Sequence, residues 1–124
     1  MIVGIGLDIV DTERLARALA APGAFEERVF TAAERSDCAG RADKADALAA
    51  RFAAKEACFK ALGTGWSQGV SFLQVEVQRA DGGAPRLALS GQAAERARVR
   101  GVTHVHVSLT HSAGVAAAAV ILEG

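Results

Sequence analysis

Residues 45–62 read ADALAARFAAKEACFKAL, and this stretch decides the fold. It holds no Gly or Pro, is built from Ala, Leu, Lys, Arg and Glu, and stops at Gly63. These are strong helix formers, and a Gly just past the last periodic residue supplies a left-handed stop. One long helix from Ala45 to Leu62 is therefore predicted, with Phe52, Phe59 and Leu62 recurring at helical spacing as its core stripe. Upstream, Ile2 to Ile9 is apolar and β-branched, punctuated by Gly4 and Gly6, and reads as a buried strand. Thr12 is the expected cap of a helix running to about Ala20, which Pro22-Gly23 ends. Phe25 to Phe30 is a short helical piece, and Thr31 with Glu34 fits a capping box.

Downstream of the long helix, Val70 to Gln78 alternates as a strand does, broken only at Phe72 and Leu73. Asp81-Gly82-Gly83 is a turn, and Arg86 to Leu89 the hairpin return. Gly91 to Arg100 is an Ala- and Arg-rich helix, and Val102 to Leu109 and Val115 to Leu122 are the last strands. The order β-α-α-α-β-β-α-β-β predicts an α+β fold, an antiparallel sheet packed with a long helix, in a single domain over residues 1–124.

Of the 124 residues 28 are Ala, against five Phe, one Trp and no Tyr, so a lone core is thin for this length. A buried subunit interface is the expected remedy. Lys plus Arg and Asp plus Glu both number 14, a formal net charge of zero, which leaves no global field for nucleic acid or membrane. The longest apolar stretch, Ala113 to Leu122, is about half of a membrane span. No basic region precedes the first apolar residues and Asp8 interrupts them, so no signal peptide is expected and the cytoplasm is the expected location. Cys38, read as a loop residue, and Cys58, read as a small buried hydrophobe, make no metal or disulfide framework.

Asp8 stands near the end of an apolar strand, where an acid needs a partner. It is either a turn or capping carboxylate for the helix at Thr12, or a metal ligand or catalytic acid. Glu56 and Lys60 are four apart in the order that favours a surface ion pair. Yet Arg51, Lys55 and Lys60 also put three cations within three turns, just before Gly63-Thr64-Gly65, whose backbone N–H groups can approach an anion. Gly-Thr-Gly also serves as a plain helix stop, but its adjacency to the basic helix end makes a phosphorylated ligand a reasonable expectation. His104, His106 and Ser108 share one strand face, and His111 stands at the strand end, as a turn residue or a ligand contact.

Three segments together resemble the bacterial holo-acyl-carrier-protein synthases, the small phosphopantetheinyl transferases. They are Gly4-Ile5-Gly6-Leu7-Asp8-Ile9-Val10, the central run RFAAKEACFKALGTG from Arg51 to Gly65, and His106-Val107-Ser108-Leu109-Thr110-His111. The resemblance implies transfer of the 4′-phosphopantetheine arm from coenzyme A to a serine of an apo-acyl carrier protein, releasing 3′,5′-ADP, in support of fatty acid biosynthesis. It implies a Mg²⁺ ion on Asp8 and Glu56, and Lys60 beside the phosphates, these three forming the catalytic set. Coenzyme A contacts are expected from Arg51, Lys55, Lys60, Gly63, Thr64, Gly65, Pro85, Arg86, Ser108 and His111. Arg14, Phe25 and Arg28 match the family's carrier-binding pattern, and a homotrimer with sites between neighbours is implied.

Two positions depart from the pattern. Ala84 stands where many relatives have a cation before the Pro, so either Arg86 takes over that contact or coenzyme A binds somewhat differently. Ser112 stands where some carry an acid. Two rival readings remain at this point: an oligomeric module that binds coenzyme A or another nucleotide without metal, and an interaction protein whose Ala-rich helices pack on partners. The carboxylates Asp8 and Glu56 separate the enzyme from the first rival, and stabilisation by coenzyme A separates it from the second.

Overall fold

The computed structural model describes residues 1–64, 69–79 and 83–124. Asp81 and Gly82 of the expected turn lie outside the described residues. Strand β1 spans Ile2–Asp11 and runs directly into helix α1, Thr12–Ala20, followed by α2, Phe25–Val29, and α3, Ala32–Cys38. Helix α4 is Lys44–Leu62; a 3₁₀ turn at Phe72–Gln74 then leads into β2, Val75–Arg79, and β3, Pro85–Leu89. Helix α5, Gly91–Val99, and strands β4, His104–Ser112, and β5, Val115–Glu123, complete the chain. The α+β class holds, but the strands do not form one sheet. Antiparallel β1-β5-β4 make a three-stranded sheet, and β2-β3 a separate hairpin.

Local chemistry sets the boundaries. Asp11, not Thr12, caps α1, its carboxylate accepting from the Arg14 N–H at 3.1 Å. The Thr31–Glu34 capping box is present at α3. Cys38 ends that helix and is buried, so it is not a loop residue. Gly63 closes α4 with φ 70°, the left-handed stop that favours Gly. The break at Phe72-Leu73 is the 3₁₀ turn: it swings Phe72 inward, its ring centroid 5.3 Å from Phe52 and 5.4 Å from Phe59.

Helix α4 is the centre of the molecule, packed on β1 and β5 and touched by α1, α3 and β2. Its Ala residues at 47, 49, 50, 53, 54, 57 and 61 are all buried, which explains the Ala-rich composition: small side chains let several elements close on one helix. Strand β1 is buried on one face only. Gly4, Gly6 and Asp8 turn to α4, whereas Ile5, Leu7 and Ile9 are 69%, 61% and 67% exposed. The expectation of a buried strand fails on this face within the single chain because none of the described residues covers the outer side of the three-stranded sheet.

Candidate active site

The site begins where β1 lies on α4. A Cβ at Gly4 would stand 2.2 Å from the Ala61 carbonyl oxygen, and one at Gly6 1.8 Å from that of Ala57. Only glycine permits so close an approach of strand to helix. The next inward residue along β1 is Asp8, and the close seam sets it beside Lys60. The Lys60 Nζ donates to Asp8 Oδ1 at 3.1 Å and to the Leu7 carbonyl at 3.0 Å. Asp8 is thus no cap for α1; Asp11 does that work.

Glu56, half-buried one turn before Lys60, completes the cluster. Burial pushes its carboxyl above the ordinary range, the Asp8 charge pushes the same way, and Lys60 opposes both. Asp8 and Glu56 line one cavity of about 420 Å³ together with Arg14, Phe25 and Phe52. Arg28, Phe25, Phe52 and Glu56 share an adjoining cavity of about 430 Å³. The structure therefore brings Arg14, Phe25 and Arg28 to the rim of the carboxylate pair.

Lys55 does not join them. It is fully buried, with Nζ 2.8 Å from Glu34 Oε1 and donating to the carbonyls of Phe72 at 2.9 Å and Val75 at 2.6 Å. Burial pulls its ammonium below the ordinary value and Glu34 opposes that pull. The expected coenzyme A contact from Lys55 is corrected: all its donors point into the protein, and no ligand reaches it. Glu34, which also accepts from the Val77 N–H at 2.7 Å, is the partner that the sequence reading missed.

A second cavity, about 380 Å³, opens against another face of α4 and is lined by Arg41, Arg51, Arg79, Pro85, Thr110 and His111. Arg51 is 3% exposed; its Nη1 donates to the Ala47 carbonyl at 3.2 Å, while Nε and Nη2 are buried without a partner among the described residues. Unsatisfied buried donors on a guanidinium are costly and call for a partner. Arg51, Pro85 and His111 were expected at a ligand site; Arg41 and Arg79 were not. Arg79 pairs with Pro85 across the hairpin, so the two share a face, whereas Arg86 is exposed opposite Gln78. Arg86 does not line this cavity within the single chain, whereas Arg79 does.

Ser108 is exposed on the outer sheet face, outside the lining of either cavity, and its expected ligand contact is not made within one chain. His104 and His106 stack there with centroids 6.3 Å apart, and His106 Nε2 lies 3.0 Å from Glu123 Oε1. Gly63 and Thr64 follow α4 as expected, Thr64 Oγ1 being buried without a partner among the described residues. Gly65 lies outside the described residues. Cys58 is buried, its thiol pushed up to about 12 by burial, and is inert.

The donors at Asp8 and Glu56 fit a hard divalent cation: two carboxylates, close enough to raise Glu56, with the Lys60 ammonium standing on one of them. Among the described residues no cluster of three or more His, Cys, Asp or Glu side chains is suited to a metal. Mg²⁺ tolerates so sparse a set, because it keeps waters and takes phosphate oxygens.

Comparison with known proteins converges on one family. The model of the 4′-phosphopantetheinyl transferase superfamily matches residues 4–120. A holo-[acyl-carrier-protein] synthase of Anaeromyxobacter sp. (strain K) is 56% identical over 128 residues, covering 100% of this chain and 98% of that protein. The holo-[acyl-carrier-protein] synthase structure from Neisseria meningitidis superposes with a TM-score of 0.89 at 32% identity, over 100% of both chains. That from Bacillus anthracis str. Ames, in complex with CoA (3′,5′-ADP), does so with a TM-score of 0.81 at 40% identity, over 98% of this chain and 96% of that one. The chain belongs to the 4′-phosphopantetheinyl transferase superfamily.

Proposed function

We propose that this chain is a holo-acyl-carrier-protein synthase, moving 4′-phosphopantetheine from coenzyme A to a serine of an apo-acyl carrier protein and releasing 3′,5′-ADP. The observation that carries this reading is the convergence of Asp8, Glu56 and Lys60 on one seam. A site built only to hold an anion gains nothing from two carboxylates beside it. Binding of coenzyme A follows the name of the Bacillus anthracis complex. Service to fatty acid biosynthesis in the cytoplasm fits the acceptor; no described helix is long and apolar enough to cross a membrane.

Asp8 and Glu56 would hold Mg²⁺, which supplies a Lewis acid for the pyrophosphate when bound. The serine oxygen attacks the phosphorus that carries the pantetheine arm, and the bond to the ADP phosphate breaks. Glu56, or a water held by the cation, would take the serine proton. Lys60 meets the charge that grows on the departing phosphate. The N–H groups of Gly63 and Thr64 already donate to the Lys60 and Phe59 carbonyls at the end of α4, so the expected phosphate contact through these two backbone donors is not available in this arrangement.

Arg51, with Pro85 and His111, takes the phosphorylated ribose end of the donor in the second cavity. Because that cavity and the carboxylate pair open on different faces of α4, one donor engages both only if neighbouring copies each provide one. The exposed apolar row Ile5, Leu7 and Ile9 supports such an assembly, a homotrimer in this reading. Arg14, Phe25 and Arg28 receive the carrier, an acidic partner drawn by a local basic patch.

Incubation with coenzyme A, Mg²⁺ and an apo-acyl carrier protein, followed by mass spectrometry of the carrier, tests the reaction. A gain of one phosphopantetheine is expected, and its loss in both Asp8→Ala and Glu56→Ala. An unchanged carrier mass at every Mg²⁺ concentration would sink the assignment.

A further inference from the structure

The seam between β1 and α4 is fastened at its two ends by side chains, and only one of the two has a place in the proposed chemistry. At the far end from Asp8, the β1–β5 ladder shifts register between Ile2 and Gly4, so the pairing skips Val3. The Val3 carbonyl instead accepts from Arg100 Nη2. The other arm of the same guanidinium, Nη1, donates at 2.8 Å to the carbonyl of Ala61, in the last turn of α4, where helix carbonyls lack intrahelical partners. Neighbouring carbonyls of that turn are taken by backbone groups, Lys60 by the Gly63 N–H and Phe59 by the Thr64 N–H. Arg100 therefore bridges the bulge of β1 to the end of α4, at the point where Gly4 lies against Ala61.

We propose that Arg100 is a positioning residue for the carboxylate pair: by pinning Val3 to Ala61 it sets where along α4 the strand seats, and so keeps Asp8 opposite Glu56. This rests on the reading of Asp8 and Glu56 as Mg²⁺ ligands. Strand and helix run in opposite senses along the seam, Gly4 over Ala61, Gly6 over Ala57 and Asp8 beside Lys60. A slide of the strand at one end is transmitted to the other. Between the ends the contacts are glycines against carbonyls, which bring the backbones close but offer no side chain to resist sliding. The Lys60 end is the one the reaction disturbs, since Asp8 must turn from Lys60 towards a cation. Arg100 touches neither phosphate nor cation in this scheme, and its bridge persists while the Lys60–Asp8 bond is given up. The planar fork of arginine suits two carbonyls on two elements, and a lysine at that position reaches them less well.

The test compares wild type with Arg100→Ala and Arg100→Lys in the full chain. Mn²⁺ binding is followed by loss of the free-ion EPR signal with coenzyme A present, beside kcat, the KM for the carrier and Tm. The expected result is a rise of about tenfold in the Mn²⁺ Kd for Arg100→Ala, the range seen when the support of a metal ligand is lost. Arg100→Lys should fall between the two, with carrier KM unmoved in both. A lower Tm with unchanged Mn²⁺ Kd overturns the positioning role and leaves Arg100 a plain brace. Should Arg100→Ala fail to fold, Arg100→Lys and wild type give the same comparison. A wild-type chain that binds no Mn²⁺ and loads no carrier overturns the reading of the site itself, and this inference with it.

Discussion

Lys60 donates at once to the Asp8 carboxylate and to the backbone of the same strand, at Leu7. The helical neighbour Glu56 is within its electrostatic reach, so one ammonium balances two carboxylates. When a cation takes over that balance, Lys60 becomes available to the phosphate. Its contribution then grows as charge develops, and such a contribution appears in kcat and not in KM. Lys60→Ala is expected to lower kcat about a hundredfold, the scale of losing one preorganised donor, with a far smaller change in the KM for coenzyme A. A loss confined to KM would reduce Lys60 to a phosphate anchor. Glu56 gives a pH signature of its own. Its folded-state value lies above the ordinary 4.5, so the folded chain holds that proton more tightly than the unfolded one. The resulting stability is complete below 4.5 and is lost as pH rises through the raised value. Melting the metal-free chain between about pH 4 and pH 7 should show Tm falling more steeply for wild type than for Glu56→Gln. Parallel curves would mean that Glu56 is not strained by its surroundings.

At the scale of elements, the helices and strands were legible from spacing and caps, because those signals are local. Thr31 with Glu34 announced α3, and Gly63 announced the end of α4. What stayed illegible depends on which elements meet. Lys55 reads as one more cation on a basic helix until α3 and the 3₁₀ turn close over it and leave Glu34 as its counter-ion. Arg41 and Arg79 carry no motif; the hairpin register that pairs Arg79 with Pro85 is what turns Arg79 towards Arg51. The proposed triad came from the family pattern, but the glycines that bring Asp8 to Lys60 needed the packing of β1 on α4 to be understood. The buried pair yields an element-scale prediction. Lys55→Met leaves the Glu34 carboxylate buried without its counter-ion and should cost about 3–5 kcal/mol. Adding Glu34→Gln removes that stranded charge, and the double variant should recover a large part of the loss in urea unfolding. A single variant as stable as the double would show that the pair is not coupled.

At the scale of the whole molecule, two features of the single chain support the proposed assembly. Its three-stranded sheet shows Ile5, Leu7 and Ile9 to solvent, each more than half exposed, and its ligand-facing residues are divided between cavities on different faces of α4. The proposed ring of three heterologous contacts would cover the sheet and repeat one composite site three times, as closed cyclic symmetry requires. In that arrangement Asp8, Glu56 and Lys60 come from one chain and Arg51 and His111 from its neighbour. Two variants inactive for different reasons then repair each other: Glu56→Ala lacks the carboxylate half, and Arg51→Ala with His111→Ala lacks the anion half. In an equal, randomly assembled mixture of the two, about one site in four draws both intact halves, because each half is supplied sound with even odds by a different chain of the ring. Co-refolded mixtures should therefore regain about a quarter of wild-type activity, whereas either variant alone shows none and unmixed trimers combined without refolding stay inactive. Light scattering that finds a monomer defeats both the ring and the shared site. A trimer without recovery defeats only the sharing, since both halves of the site must then be reached from a single chain.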